Sequence, residues 1–531
     1  MAMGMGRKVM IRPMKVIKIA TLVLAGTLIA TAGTTLSQTP QGQFKLLNSS
    51  ITVTLNPTGI APLSALATFQ TSIACSIQVR VLGNIEVSKL FEDNSTSHEI
   101  PILGLYPNRL NPVVLTLFTH HGTPEVYTLT IQTDPLPNYF PTIEINAATP
   151  SLMEPGMNLS AMTVSLGAKS SGYPIIFDRN GDIRWYLDLS AYGGLMAPFE
   201  RIKDGNYIGG SGASVYEYDP VGRLIDQITL PGYNFHHEIR ELPNGHLVCS
   251  VDKAGTQIIT YKGTLQSQED YIIEIDRTTK QIVNHWDMRE ILDVGRKDTL
   301  INSGDWFHNN GLWYSASDNC LIISGRVQGV VKVTWDNKVK WILSPHQDWG
   351  NAGWDGSGPP TAPYLLTAVD PNGNPYPDAV QRGDSGTDDF DWGWGQHNPH
   401  LLANGNLFFF DNGDFRYYLT DFPKYSRAAE FVVDDNAMTV RQVWQYGKER
   451  GPETWSRIIS AVDPLPQTGN RLFCPGIVQT AQGTYAKVVE VTYPDKALVF
   501  DATIHFKNLL APPNTAIADI VYRSHRISIY P

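Results

Sequence analysis

One recurring block of short strands and tight turns limits what this chain can fold into. HEIRELPNGHLVCS (237–250) and HNPHLLANGNLFFF (397–410) share a frame: a His, then Leu at +5, Gly at +8 and Leu at +10. HNNGLWYSASDNCLIIS (308–324) keeps that frame with three extra residues in its turn. FERIKDGNYIGG (199–210) and SAVDPLPQTGNRLFC (460–474) keep the turn without the His, and PIIFDRNGDIRWYLDL (174–189) opens the series. Each block continues into another strand pair around a polar turn, as in AEFVVDDNAMTVRQVW (429–444). A unit of four short strands cannot bury its apolar faces alone, so six copies predict an all-β, six-bladed β-propeller. A two-sheet sandwich or a solenoid does not account for six copies with alternating inner and outer strands. The final segment, ADIVYRSHRISIYP (518–531), is predicted to add a strand to the first repeat and close the ring.

The residues before the repeats read as a separate unit. Between 37 and 138, ITVTLNP (51–57), SIQVRVLG (76–83) and the hairpin from Val113 to Thr133 alternate apolar and polar residues at period two. This predicts a small N-terminal β-sandwich domain. DPLPNYFP (134–141) reads as a linker, with the propeller assigned to 139–531. Residues 1–36 read as an export signal: five cations precede residue 19 without an acid, and an uncharged apolar run of 14 follows from Ile19 to Ala32. Met14 is a candidate start. An uncleaved anchor is the alternative, but a membrane span needs ~20 residues. A periplasmic or secreted protein with no stable membrane anchor is therefore expected. The net charge is −10, and −15 without those five cations, so no nucleic acid partner is expected. Cys75, Cys249, Cys320 and Cys474 form no CxxC pair and read as buried thiols.

The repeat frame also places chemistry. His starts the first strand of its unit, so His237, His308 and His397 are predicted to converge at one mouth of the propeller axis. Arg326, on a returning strand, is predicted beside His308. Ser460 falls near the equivalent place in a unit without His. Three imidazoles and a guanidinium suit an anion that also exchanges protons. Three His are also a zinc set, and DSGTDDFDWGW (384–394) holds acids for calcium. An adjacent Arg disfavours a cation, so neither metal nor cofactor is expected. The insertion 344–396 carries Trp349, Trp354, Trp392 and Trp394. It is expected as a loop that binds an aromatic anion, with simple packing of the Trp residues as the alternative. There is no phosphate cradle of the Walker or GxGxxG type and no GxSxG elbow.

FHHEIRELPNGH, GDWFHNN, SGRVQGVVKV and GQHNPHLLANGN, with HEIPILGLYPNRLNPVVLTL (98–117) in the first unit, resemble segments of the bacterial arylsulfate sulfotransferases that use no nucleotide sulfate donor. The resemblance spans nearly the whole exported chain. It implies a six-bladed propeller with a central site and a ping-pong reaction through a sulfohistidine. The implied partners are a phenolic sulfate donor and a phenol acceptor, and a homodimer is allowed. It further implies His397 as nucleophile, His308, Asn310 and Arg326 around the anion with His237 beside them, and Ser460 as a hydroxyl residue nearby; an imidazole titrates near working pH, so His308 is also expected to carry the proton. A sulfate-ester hydrolase and a non-catalytic propeller binding module stay open as other readings. Some members have two closely spaced cysteines joined near the site; no such close pair exists here.

Overall fold

The structure is a computed structural model. It describes residues 46–119, 123–166, 169–192, 198–253, 257–260, 263–266, 270–296, 306–509 and 519–531. The expected export signal at 1–36 lies outside the described residues. The chain divides into two units, one up to Thr133 and one from Asp134.

The first unit contains β1 (Leu46–Leu55), β2 (Ala65–Val81), β3 (Val87–Ile102), β4 (Leu110–Phe118) and β5 (Glu125–Gln132). β2 is its spine. It pairs with β3 along its length, with β1 before a register break between Gln70 and Cys75, and with β4 after it. Period-two alternation puts Ala65, Ala67 and Phe69, then Ile77, Val79 and Val81, into the core.

Among the described residues, the second unit contains six sheets of four or more strands, antiparallel but for one short parallel pair, besides a two-stranded hairpin. β6 (Thr142–Ala148) and β7 (Met157–Leu166) come first. Five of the sheets then open with β8 (Phe199–Arg201), β9 (Tyr233–Glu241), β10 (Asn309–Ser315), β11 (His397–Leu401) and β12 (Ala461–Pro464). β13 (Leu498–His505) and β14 (Ile520–Ile527) come last.

The apolar clusters lie between consecutive sheets, as a propeller requires. Trp286 and Val248 of the β9 sheet pack with Leu312 and Ile323 of the β10 sheet. Ile322 and Trp341 pack with Phe409 and Phe431 of the β11 sheet, and Phe408 and Trp444 with Phe473 and Val489 of the β12 sheet. Tryptophans on the outer strands of four of the sheets tie them to the next sheet. The indole of Trp185 donates to Pro220 O (2.7 Å), that of Trp286 to Thr334 O (3.0 Å), that of Trp341 to Asp435 Oδ1 (2.9 Å), and that of Trp444 to Pro494 O (3.0 Å). The Gly of the sequence frame is explained by the hairpin. Gly245 and Gly405 both sit at φ 85°, where a side chain is disfavoured. Asn244 and Asn404 cap the same turns through His246 N and Asn406 N, each at 3.0 Å.

Both ends of this unit close the ring. β14 pairs with β7, Arg526 opposite Asn158, as the final segment predicted. β6 pairs with β13, Ile145 opposite Ala502.

The insertion at 344–396 departs from the expected loop. It holds a helical turn at Ala362–Tyr364, a helix at Asp378–Arg382, and a strand at Thr367–Ala368 parallel to Thr439–Val440. Trp392 and Trp394 are buried against Phe390, and Trp349 is half-buried under the Arg296 guanidinium, 4.7 Å from its ring centroid. Only Trp354 of the four is exposed. Trp392 and Trp394 thus pack the sheet edge, and Trp394 also faces a cleft described below. Asp384, Asp388 and Asp389 are exposed, whereas Asp391 is buried and pairs with Arg416. All four cysteines are buried free thiols.

Candidate active site

His308, His397 and Ser460 stand at the starts of first strands, His237 within β9 and Arg326 just past the second strand of the β10 sheet, and the backbone there is irregular. Pairing slips between Phe235 and Ile239, between Asn309 and Gly311, and between His397 and His400. At these slips His237 (φ 58°), His308 (φ 55°) and Asn398 (φ 52°) are left-handed; Ile459 (φ 53°) and Ser460 (φ 90°) follow suit before β12. Bulges of this kind re-aim side chains, and non-Gly residues in this region carry strain typical of functional sites. Close approach adds to it: a Cβ on Gly311 would meet Pro399 Cδ at 2.5 Å, so Gly is required where β10 passes β11.

The structure brings His237 and His308 into direct contact, Nε2 to Nε2 at 2.9 Å. The other nitrogen of His237, Nδ1, meets the hydroxyl of Tyr522 on β14 at 2.9 Å. Burial first, then His236, His308 and His397, push the His237 pKa well below the usual imidazole range. His237 is thus a neutral ring with protein partners at both nitrogens, although it was expected at the sulfonate. Arg326 lies beside His308, since its backbone N donates to His308 O at 3.0 Å. Its Nη2 donates to Asp414 Oδ2 at 2.9 Å, and its buried Nε has no partner among the described residues. Arg326, Arg296, Asp414, Trp394 and Tyr418 line a cleft of about 310 Å³ that opens to solvent.

His397 is buried at the start of β11. Burial first, then the Arg326 guanidinium and His308, hold its pKa well below 6.5. Its Nδ1 contacts Asn412 Oδ1 at 2.7 Å and Gly395 O at 3.0 Å. His400, the second His of HNPH, turns away to Asn398 Oδ1 at 3.0 Å and Trp313. Asn310 donates to Gln396 O at 2.9 Å, and so holds the segment that leads into His397. Ser460 is buried in a local network: its hydroxyl donates to Ser456 Oγ at 2.9 Å and accepts from Gly476 N at 2.9 Å. Its recorded partners belong to its own sheet and to Tyr522 O, not to the imidazoles.

Sequence reading missed Tyr522, Arg523, Asn412 and Asp414. Arg523 is fully buried, binds Glu238 (2.6 Å), and adds positive charge that lowers both His237 and His397. Tyr522 and Arg523 had a signal: they lie in the closing segment. Asn412 and Asp414 sit just past the second strand of a repeat, where the frame has no fixed residue.

Together these groups form a buried cluster of imidazoles, two of them held neutral, with Arg326 joining the cluster to the solvent-open cleft, an arrangement suited to an anion that undergoes group transfer.

Known proteins agree with that chemistry. The profile of the family described as Arylsulfotransferase (ASST) matches residues 142–514, and that of the Arylsulfotransferase Ig-like domain matches residues 52–134. Arylsulfate sulfotransferase AssT of Escherichia coli O6:H1 (strain CFT073) is 26% identical, covering 92% of this chain and 98% of that protein. Arylsulfate sulfotransferase AssT of Lelliottia amnigena is 25% identical, covering 87% of this chain and 92% of that protein. Among solved structures, a Bacteroides caccae protein of unknown function is 13% identical over 51% of this chain and 94% of that one, with a TM-score of 0.25, and bears no weight here. The family match spans most of both units, and on it the chain belongs to the arylsulfotransferase family.

Proposed function

We propose that this arylsulfotransferase moves a sulfuryl group from a phenolic sulfate ester to a phenol in two steps, through a sulfohistidine at His397. The observation that carries the reading is His397 buried at the start of β11 with its Nδ1 held by Asn412 Oδ1 and Gly395 O; burial first, then Arg326, keeps the ring neutral. A neutral imidazole is a nucleophile, and covalent catalysis splits one hard transfer into two easier ones. In the first step a nitrogen lone pair of His397 bonds to sulfur, and the bond from sulfur to the aryl oxygen breaks. Protonated His308 gives its proton to the departing phenolate. In the second step the acceptor phenol returns a proton to His308, its oxygen bonds to sulfur, and the nitrogen–sulfur bond breaks.

Arg326 grips sulfonate oxygens with the donors that Asp414 leaves open, and Asn310 with the second hydrogen of its amide. His237, neutral and engaged at both nitrogens, accepts from His308 and steadies its charged form beside the anion. Ser460 supports the last blade's side of the pocket. Export to the periplasm belongs to the same reading; no helix of the described residues is long and apolar enough to cross a membrane.

The test uses a chromogenic phenyl sulfate with and without a second phenol. The expected result is a burst of one phenol per site, then turnover only when the acceptor is present. Steady release of inorganic sulfate without acceptor would instead identify a hydrolase, and no release at all a binding protein.

A further inference from the structure

Asn412 is fully buried on the segment that follows the second strand of the β11 sheet. Its Nδ2 donates to Ser456 O at 2.7 Å and to Ile459 O at 2.9 Å. Carbonyl oxygens only accept, so these two bonds forbid the flipped amide. The other amide atom, facing His397 Nδ1 at 2.7 Å, is therefore the oxygen, which also only accepts. Gly395 O at 3.0 Å makes the same demand on Nδ1. A neutral imidazole carries one hydrogen, and two acceptors call for it on Nδ1. The lone pair is then on Nε2.

We infer that Asn412 is a positioning residue which fixes His397 as its Nδ1–H tautomer and thereby selects Nε2 as the attacking nitrogen. The inference rests on the nucleophile reading above and refines it. The Nε2–sulfur bond forms as the sulfur–aryl-oxygen bond breaks, and the departing phenolate takes its proton from His308. The Nδ1 proton stays on the ring, hydrogen-bonded to the amide, through both half-reactions. A carboxylate in this place would draw that proton off the sulfonated ring and leave a neutral, less reactive sulfuryl donor; an amide does not. The groups that depress His397 electrostatically are Arg326 and His308 from the β10 sheet and Arg523 from β14. All are donors or cations, and none competes with Asn412 for the Nδ1 proton.

Two readouts test this. In protein labelled with ¹⁵N-histidine, the resonances lost in His397→Ala are those of His397. They are expected to show a protonated Nδ1 and a bare Nε2. In Asn412→Leu the Nδ1 signature should weaken toward a mixture. The burst of first phenol should slow by about tenfold or more, less than the ~10⁴-fold seen when a catalytic His is locked in its wrong tautomer, because Gly395 O remains. The donor KM should stay near that of the wild type. An Nε2–H tautomer in the wild type overturns the inference, as does an Asn412→Leu protein with unchanged tautomer and burst. If Asn412→Leu does not fold, the wild-type spectrum decides alone. Mass analysis of quenched wild-type enzyme separates the two readings. Sulfuryl mass on a peptide without His397 would refute the nucleophile and leave the tautomer assignment standing.

Discussion

His397 must be unprotonated to attack, and its surroundings extend the pH range in which it is. Its folded pKa lies below 6.5, mainly from burial and then from Arg326. The acid limb of kcat/KM for the donor, which reports the free enzyme, should therefore fall below pH 6.5. A limb at or above 6.5 would mean that another group limits the attack. Arg326→Lys keeps the charge but not the planar fork that grips two oxygens. Nη2 is already committed to Asp414, so the remaining donors carry the grip, and Lys has one flexible point charge instead. The burst rate should drop roughly 10²-fold, the scale of losing one preorganised donor; a normal burst would detach Arg326 from the transferring group. The three imidazoles and Arg326 were legible because a repeat frame counts residues, and counting fixes which end of a strand a side chain occupies. Asn412 was not, because the frame fixes no residue past a second strand; Asp414 and the Tyr522 contact were not, because they act through bonds to other sheets.

Strands and turns were legible from period two and from the Asn–Gly turns, since both are local. The ties between sheets were not. VNHW, VKW and RQVW each lie on a fourth strand, but their common role shows only when Trp286, Trp341 and Trp444 each reach the following sheet. Trp341→Phe removes a donor to the Asp435 carboxylate while keeping most of the apolar packing. A bond to a charged group is worth about 2 kcal/mol, so denaturant unfolding should show a loss of that order with the burst unchanged. No loss would make the bond incidental. A second tie is ionic. His525 on β14 contacts Glu200 on β8 at 3.2 Å and Asp463 on β12 at 3.6 Å. Burial alone would lower its pKa, but the two carboxylates prevail and raise it to about 10. The unfolded value is near 6.5, so this stabilisation is complete below pH 6.5 and is lost as pH rises through about 10, at up to about 1.4 kcal/mol per pH unit between. The stability gap between wild type and His525→Gln should be widest near pH 6 and should close above pH 10. A gap that does not change with pH would assign His525 a packing role only.

For the whole molecule, the order of the sheets follows the order of the repeats, which is why the propeller could be read from sequence. The insertion at 344–396 could not. Its Gly, Pro and Trp content suits a binding loop as well as a packed edge, and the structure divides it between the two: Trp392 is packed in the edge, while Trp394 also lines the cleft beside Arg326. The ring is completed by β14, which comes last in the chain yet lies against the first repeat and brings Tyr522 to His237. The pocket wall beside His237 is therefore made of residues 285 positions apart in the chain, so cutting the chain between β13 and β14 would separate Tyr522 from its imidazole even though every repeat stayed intact.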